Sequence, residues 1–197
     1  MSVKSRLLLA TGAFAAGLTA TPAFAEGAYG GVFIGSISPD DFDINDADEL
    51  SVDSGVIFGG VLGKRFSDRI RGEIEASYWS ADADCTGKCG NVEYDVAALS
   101  ILGNVWFDFG DSAGFSPYIG AGIGGANVSL ESASGDEDAF ALAYQGGLGV
   151  RFGGDSMTFD IGYRYRVVDA DLDDHPLVSE DIDLTGHTFQ FGANFPF

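Results

Sequence analysis

Residues 157–168 read Met157-Thr-Phe-Asp-Ile-Gly-Tyr-Arg-Tyr-Arg-Val-Val168. The odd positions Met157, Phe159, Ile161, Tyr163, Tyr165 and Val167 are large and apolar, while Thr158, Asp160, Gly162, Arg164 and Arg166 between them are small, polar or charged. Successive side chains leave a pleated strand on opposite sides, so a period of two marks a strand with two different surroundings. The same alternation runs through 140–152, where Phe140, Leu142, Tyr144, Leu148, Val150 and Phe152 oppose Ala141, Ala143, Gln145, Gly147, Gly149 and Arg151. In 69–80, Ile70, Gly72, Ile74, Ala76 and Tyr78 oppose Arg71, Glu73, Glu75, Ser77 and Trp79.

Working outward, the pattern predicts eight strands, at 27–38, 55–66, 69–80, 92–108, 116–129, 140–152, 157–168 and 184–197. Helical periodicity is absent, and Val, Ile, Phe and Tyr favour a pleated backbone. An eight-stranded barrel has an interior just wide enough for side chains to fill, too narrow for this many aromatics. The fold class is therefore all-β: an eight-stranded antiparallel up-and-down transmembrane β-barrel, with aromatics toward lipid and polar or small residues inside. The connections agree, because long segments at 39–54, 81–91, 130–139 and 169–183 alternate with short ones. The long segments hold 20 of the 30 acidic residues and, of the basic ones, only Lys88. All four acidic clusters are thus expected at one end of the molecule, as four long extracellular loops.

Composition excludes several classes. With 197 residues, 30 Asp and Glu against 10 Lys and Arg, and a formal charge of −20, the chain lacks the basic footprint that nucleic acid requires. Its 46% hydrophobic content is too high for a disordered chain. Lys4 and Arg6 precede an uncharged apolar run, and Ala23-Phe24-Ala25 places small residues where a signal peptidase cleaves. Residues 1–25 are read as a secretory signal peptide and 26–197 as the barrel domain. The later uncharged stretch 113–130 holds Pro117 and five glycines, which excludes a membrane helix there.

Seven charged residues fall on the face assigned to the lumen: Arg71, Glu73, Glu75, Arg151, Asp160, Arg164 and Arg166. Buried charges must be paired and hydrogen-bonded, so these are expected to form a salt-bridge plug, completed by Asn104, Gln145 and Gln190. The acidic stretches Pro39–Glu49 and Asp169–Asp174 are rich in the oxygen ligands that divalent cations prefer, but neither has EF-hand spacing. They are expected to be a solvated acidic surface, with weak Ca²⁺ or Mg²⁺ capture as the sharper reading. Cys85 and Cys89 are expected to form a local disulfide in an oxidising compartment. Gly120-Ala-Gly-Ile-Gly-Gly125 formally matches a dinucleotide fingerprint, but no helix follows it, and no cofactor is expected.

In order and position, five segments resemble the small outer-membrane β-barrel family of Gram-negative bacteria, porin-like surface antigens and OmpA-like barrels. They are Glu26-Gly-Ala-Tyr-Gly-Gly-Val-Phe-Ile-Gly35, Arg71-Gly-Glu-Ile-Glu-Ala-Ser-Tyr78, Pro117-Tyr-Ile-Gly-Ala-Gly-Ile-Gly-Gly125, Gly162-Tyr-Arg-Tyr165 and Phe189-Gln-Phe-Gly-Ala-Asn-Phe-Pro-Phe197. The resemblance implies an outer-membrane location beside lipid and lipopolysaccharide. It implies that Phe197 and Phe195 belong to the signal read by the barrel-assembly machinery; Pro196 departs from that pattern. It also implies a monomeric, non-enzymatic structural or surface role, with adhesion through the loops as a variant. A small channel is the alternative. So is a lipid A-modifying enzyme, although His187 and His175 lack the expected serine spacing, and no catalytic residue is assigned.

Overall fold

The computed structural model describes residues 27–40, 42–45, 48–86, 92–110, 114–132, 135–170 and 182–197. The strands are β1 (Ala28–Pro39), β2 (Phe42–Asn45), β3 (Asp48–Val52), β4 (Gly55–Arg65), β5 (Ile70–Thr86), β6 (Val92–Asp108), β7 (Phe115–Ser132), β8 (Gly135–Gly153), β9 (Thr158–Ala170) and β10 (Ile182–Pro196). Eight of them, β1 and β4 to β10, form a closed antiparallel ring. Each pairs with its chain neighbour, β6 pairs back to β5, and β1 sits between β4 and β10. Closure pairs the backbone groups across the membrane, which is what lets strands cross lipid at all.

Exposed large apolar residues cover the outer wall, including Ile34, Leu62, Ile74, Ile101, Ile123, Leu148, Ile161 and Phe191. The lower rim, beside the chain termini and short turns, carries exposed Phe66, Phe109, Phe115, Phe195 and Phe197, whereas Tyr144 and Tyr165 stand nearer the upper rim. These are the aromatic girdles of a membrane-spanning barrel, whose amphipathic rings suit the two interfaces. The lower turns are tight. Phe66 N donates to Ile70 O at 2.8 Å, and Ile70 N donates to the Ser67 hydroxyl at 3.1 Å. Gly114 and Gly153 take positive φ of 76° and 140°, and Gly153 N donates to Gly114 O at 3.0 Å. A side chain is disfavoured at such angles, which explains glycine at both places.

The structure corrects the expected connections. The segment 130–139 is not a long loop, because β7 continues to Ser132 and β8 begins at Gly135. Likewise β5 runs to Thr86 through much of the segment 81–91. The segment 39–54 contains β2 and β3, a hairpin that adds to the upper part of β5 with Val52 opposite Ala83 and Glu49 opposite Thr86. Strands β5 to β8 have 17, 17, 18 and 19 residues, well beyond the roughly 9–11 that cross a bilayer at a tilt. The excess stands outside as a protruding sheet, because water outside permits polar side chains while backbone pairing continues unchanged.

Candidate functional site

The lumen has two halves. The lower and middle part is polar and charged. Arg71, Arg151, Arg164 and Arg166 face Glu73, Glu75, Asp108 and Asp160, all nearly inaccessible to solvent. Arg71 pairs with Glu73 through Nη1 and with Asp108 through Nε at 3.2 Å. Glu73 also accepts from Tyr29 Oη, and from Trp106 Nε1 at 2.7 Å. Higher up, Arg166 Nη2 donates to Glu75 Oε1 at 2.7 Å, while Gln145 Nε2 and Asn104 Nδ2 donate to Glu75 Oε2 at 3.2 and 3.4 Å.

Three of the seven charges foreseen from sequence, Arg164, Asp160 and Arg151, are not in direct ion pairs among the described residues. Arg164 reaches Asp160 through a relay, in which its Nη2 donates to the Tyr118 hydroxyl at 2.9 Å and Tyr118 donates to Asp160 at 2.8 Å. Its guanidinium also lies 4.1 Å from the Trp106 ring centroid. Arg151 Nη2 donates to Thr158 Oγ1 at 3.1 Å, and its guanidinium lies 5.3 Å from the Tyr29 ring. Arginine stacks on aromatic faces more readily than a compact cation does, which lets rings replace missing carboxylates.

Asp108, Tyr29, Trp106 and Tyr118 were missed by the sequence reading. Their signal was available, since Asn104, Trp106 and Asp108 share one parity of β6, and Tyr118 shares the parity of Gly120 and Gly122 on β7. Those glycines are sockets rather than a nucleotide loop: a side chain at Gly120 would collide with Trp106 and with the Val105 carbonyl. Gly63 serves Tyr29 in the same way. Large lumen groups lie flat because the neighbouring strand presents no Cβ.

The upper lumen departs from the expected polar interior. Ile37, Ile57, Trp79, Leu102, Val128 and Val168 form a buried apolar cluster above the charges. Alternation tells which face of a strand points inward, but not how its composition changes along the barrel axis. An apolar cap excludes water and keeps the charged pairs beneath it in a low dielectric, where they attract strongly but cannot lose a partner cheaply. Two cavities lined by lumen residues measure about 20 Å³ each, room for about one water.

Outside the membrane, the register of the extended strands sets acidic residues opposite one another. Asp82 stands opposite Asp95, Asp95 opposite Glu131, and Glu131 opposite Asp136, one acid from each of four adjacent strands. Asp84 stands opposite Glu93 in the next β5–β6 row. The Asp95 carboxyl is held above the usual carboxylate range, by partial burial first, then by its hydrogen bond to Asp82 and the Asp82 charge. Among the described residues no group of three or more His, Cys, Asp or Glu side chains is arranged to hold a metal ion. Residue 41 and residues 46–47 and 171–181 of the acidic stretches lie outside the described residues.

Cys85 belongs to β5, opposite Val92 and Leu50, while Cys89 lies outside the described residues. Residues 1–25 and His175 also lie outside them. His187 faces outward, and both its ring nitrogens are engaged: Nδ1 with the Tyr163 hydroxyl at 2.6 Å and Nε2 with Asp40 Oδ1 at 3.4 Å. Ser38 is opposite His187 in register, but its hydroxyl bonds Ser54 at 2.8 Å. Phe195 and Phe197 are exposed at the lower rim, where Phe197 N donates to Ala28 O at 3.1 Å and helps close the seam between β10 and β1.

The fold is shared with known proteins. The structure of Neisserial surface protein A aligns with a TM-score of 0.63 and 16% identity, over 87% of this chain and 98% of that one. OprG, an outer membrane protein of Pseudomonas aeruginosa, aligns with a TM-score of 0.56 and 16% identity, over 87% of this chain and 97% of that one. An uncharacterized protein of Brucella abortus is 24% identical over 152 residues, 60% of this chain and 53% of that one. The chain thus spans about half the length of the curated relatives it matches. The family model for the outer membrane protein beta-barrel domain matches residues 7–197. With its closed lipid-facing ring, the chain belongs to this family and is a barrel of the bacterial outer membrane.

Proposed function

We propose that this barrel is a sealed, non-enzymatic scaffold that holds an acidic protruding sheet outside the cell. The observation that carries the reading is the row Asp82, Asp95, Glu131 and Asp136, raised above a lumen filled first by charge pairs and then by an apolar cap. Like charges side by side weaken a sheet, so their alignment favours a role in meeting something outside. Such a surface attracts cationic groups over a Debye length, raising encounter rates.

The partner class this supports is a basic polypeptide segment, the charge complement of that row. Divalent cations bridging the row to lipopolysaccharide phosphates form a second contact of the same surface. Assembly through the machinery that reads Phe195 and Phe197, and a monomeric barrel, complete the reading.

The test is direct. Protein in nanodiscs is titrated with lysine-rich and glutamate-rich extended peptides, and binding of the former alone, weakened by salt, is the expected result. Equal binding of both ends the electrostatic reading. Large steady conductance in planar bilayers would make the protein a channel instead. An altered acyl pattern in lipid A from cells carrying the gene would make it an enzyme.

A further inference from the structure

Three hydrogen-bonded groups fill the charged half of the lumen. Glu73 gathers Tyr29, Arg71 and Trp106. Asp160 meets Arg164 through Tyr118. Glu75 gathers Arg166, Gln145 and Asn104. The cavity of about 20 Å³ lies at their junction, with Arg71, Glu73, Glu75, Asp160, Arg164 and Gln190 on its wall.

Three of these residues each carry a buried polar atom with no hydrogen-bond partner: Arg71 Nη2, Arg164 Nε and Gln190 Oε1. Their parent residues are 2%, 3% and 8% exposed, so bulk solvent does not serve them. We propose that this cavity is a binding site for an ordered water molecule that joins Arg71, Arg164 and Gln190 into one network.

The donor inventory selects the ligand. Two N–H groups and one amide oxygen match a molecule that accepts two hydrogen bonds and donates two, with the second donated to a wall carboxylate. A chloride would satisfy the arginines but face Glu73, Glu75 and Asp160 and leave Gln190 Oε1 unserved. A sodium ion would suit the oxygens but face Arg71 and Arg164. The volume suits one water, which needs at least about 10–15 Å³ and two to four polar partners. The site rests on the lumen alone, and stands or falls separately from any surface partner.

The consequence is coupling. Arg71 and Arg164 share no direct hydrogen bond, yet through the water a change at one reaches the other. The experiment is magnetisation transfer from water to the arginine Nε–H signals of nitrogen-labelled protein in lipid nanodiscs. A direct cross-peak at Arg164 Nε–H in the unaltered protein, indifferent to chloride concentration, is the expected result. Absence of that peak, or its replacement by a chloride-dependent shift, overturns the proposal. In Gln190→Leu, checked for folding by its heat-dependent gel shift, the cross-peak is lost. Persistence of the cross-peak in the Gln190→Leu background also overturns it.

Discussion

Glu75 and Arg166 face each other across the whole barrel: Arg166 Nη2 on β9 donates to Glu75 Oε1 on β5 at 2.7 Å, from strands on opposite sides of the ring. The bond ties two walls that share no backbone hydrogen bond. Both side chains are buried, at 7% and 1% exposure, so either charge left alone is costly.

Glu75→Ala should therefore destabilise the barrel by roughly 3–5 kcal/mol, because it strands the Arg166 cation. The double variant Glu75→Leu, Arg166→Met should recover most of that loss, since no charge remains to be buried. Urea midpoints of unfolding from detergent or vesicles check this. Equal losses for the single and double variants would show that the pair does not act as a unit.

The socket at Gly120 gives a sharper contrast. A methyl group there meets the Val105 carbonyl and the Trp106 ring, whereas nothing lies within 4 Å of a methyl group at Gly146. Gly120→Ala should block folding or lower the temperature of the gel shift strongly, and Gly146→Ala should leave it unchanged. Comparable behaviour of the two would mean that Trp106 does not lie over β7.

Inside and outside follow opposite rules. Ile57 is fully buried in the upper lumen, and Ile57→Ala should cost about 2–5 kcal/mol through lost packing. Ile123 is 61% exposed on the outer wall, and Ile123→Lys should cost roughly 2–4 kcal/mol because its ammonium enters hydrocarbon. Refolding yields into lipid vesicles measure both. A tolerated lysine at position 123 would mean that this wall does not face lipid.

The Asp82–Asp95 pair sets a pH dependence. Asp95 binds its proton more tightly folded than unfolded, so its contribution favours the fold below the ordinary carboxylate range and is lost as pH rises through its folded value. Asp82→Asn should raise stability at neutral pH by about 0.2–1 kcal/mol, the scale of one cross-strand pair. It should also flatten the gain seen on mild acidification. Gel-shift temperatures across the acidic range test it, and an unchanged profile would show that the two carboxyls do not interact.

Strand identity and the face each residue takes were legible in the sequence, because a period of two is a local property of the backbone. Arg71, Glu75 and Arg166 could be set on the inner face by parity alone. Whether alternation continued beyond the membrane was harder to see. In 81–86, 130–132 and 135–138 acids replace apolar residues, so the strands there look like loops, although their backbones pair as before.

The sequence by itself determined the barrel, its eight spanning strands, its lipid-facing wall and the acidity of one end. These depend on which residue types recur and at what spacing. Only the tertiary structure decided that Arg164 reaches Asp160 through Tyr118, and that Arg151 rests on Tyr29. It alone decided that the lumen changes from charged to apolar along its axis, and that four acidic residues share one row of the register. Strand register and barrel closure set those relationships by bringing together residues as far apart in the chain as Tyr29 and Arg151, and no local pattern encodes register.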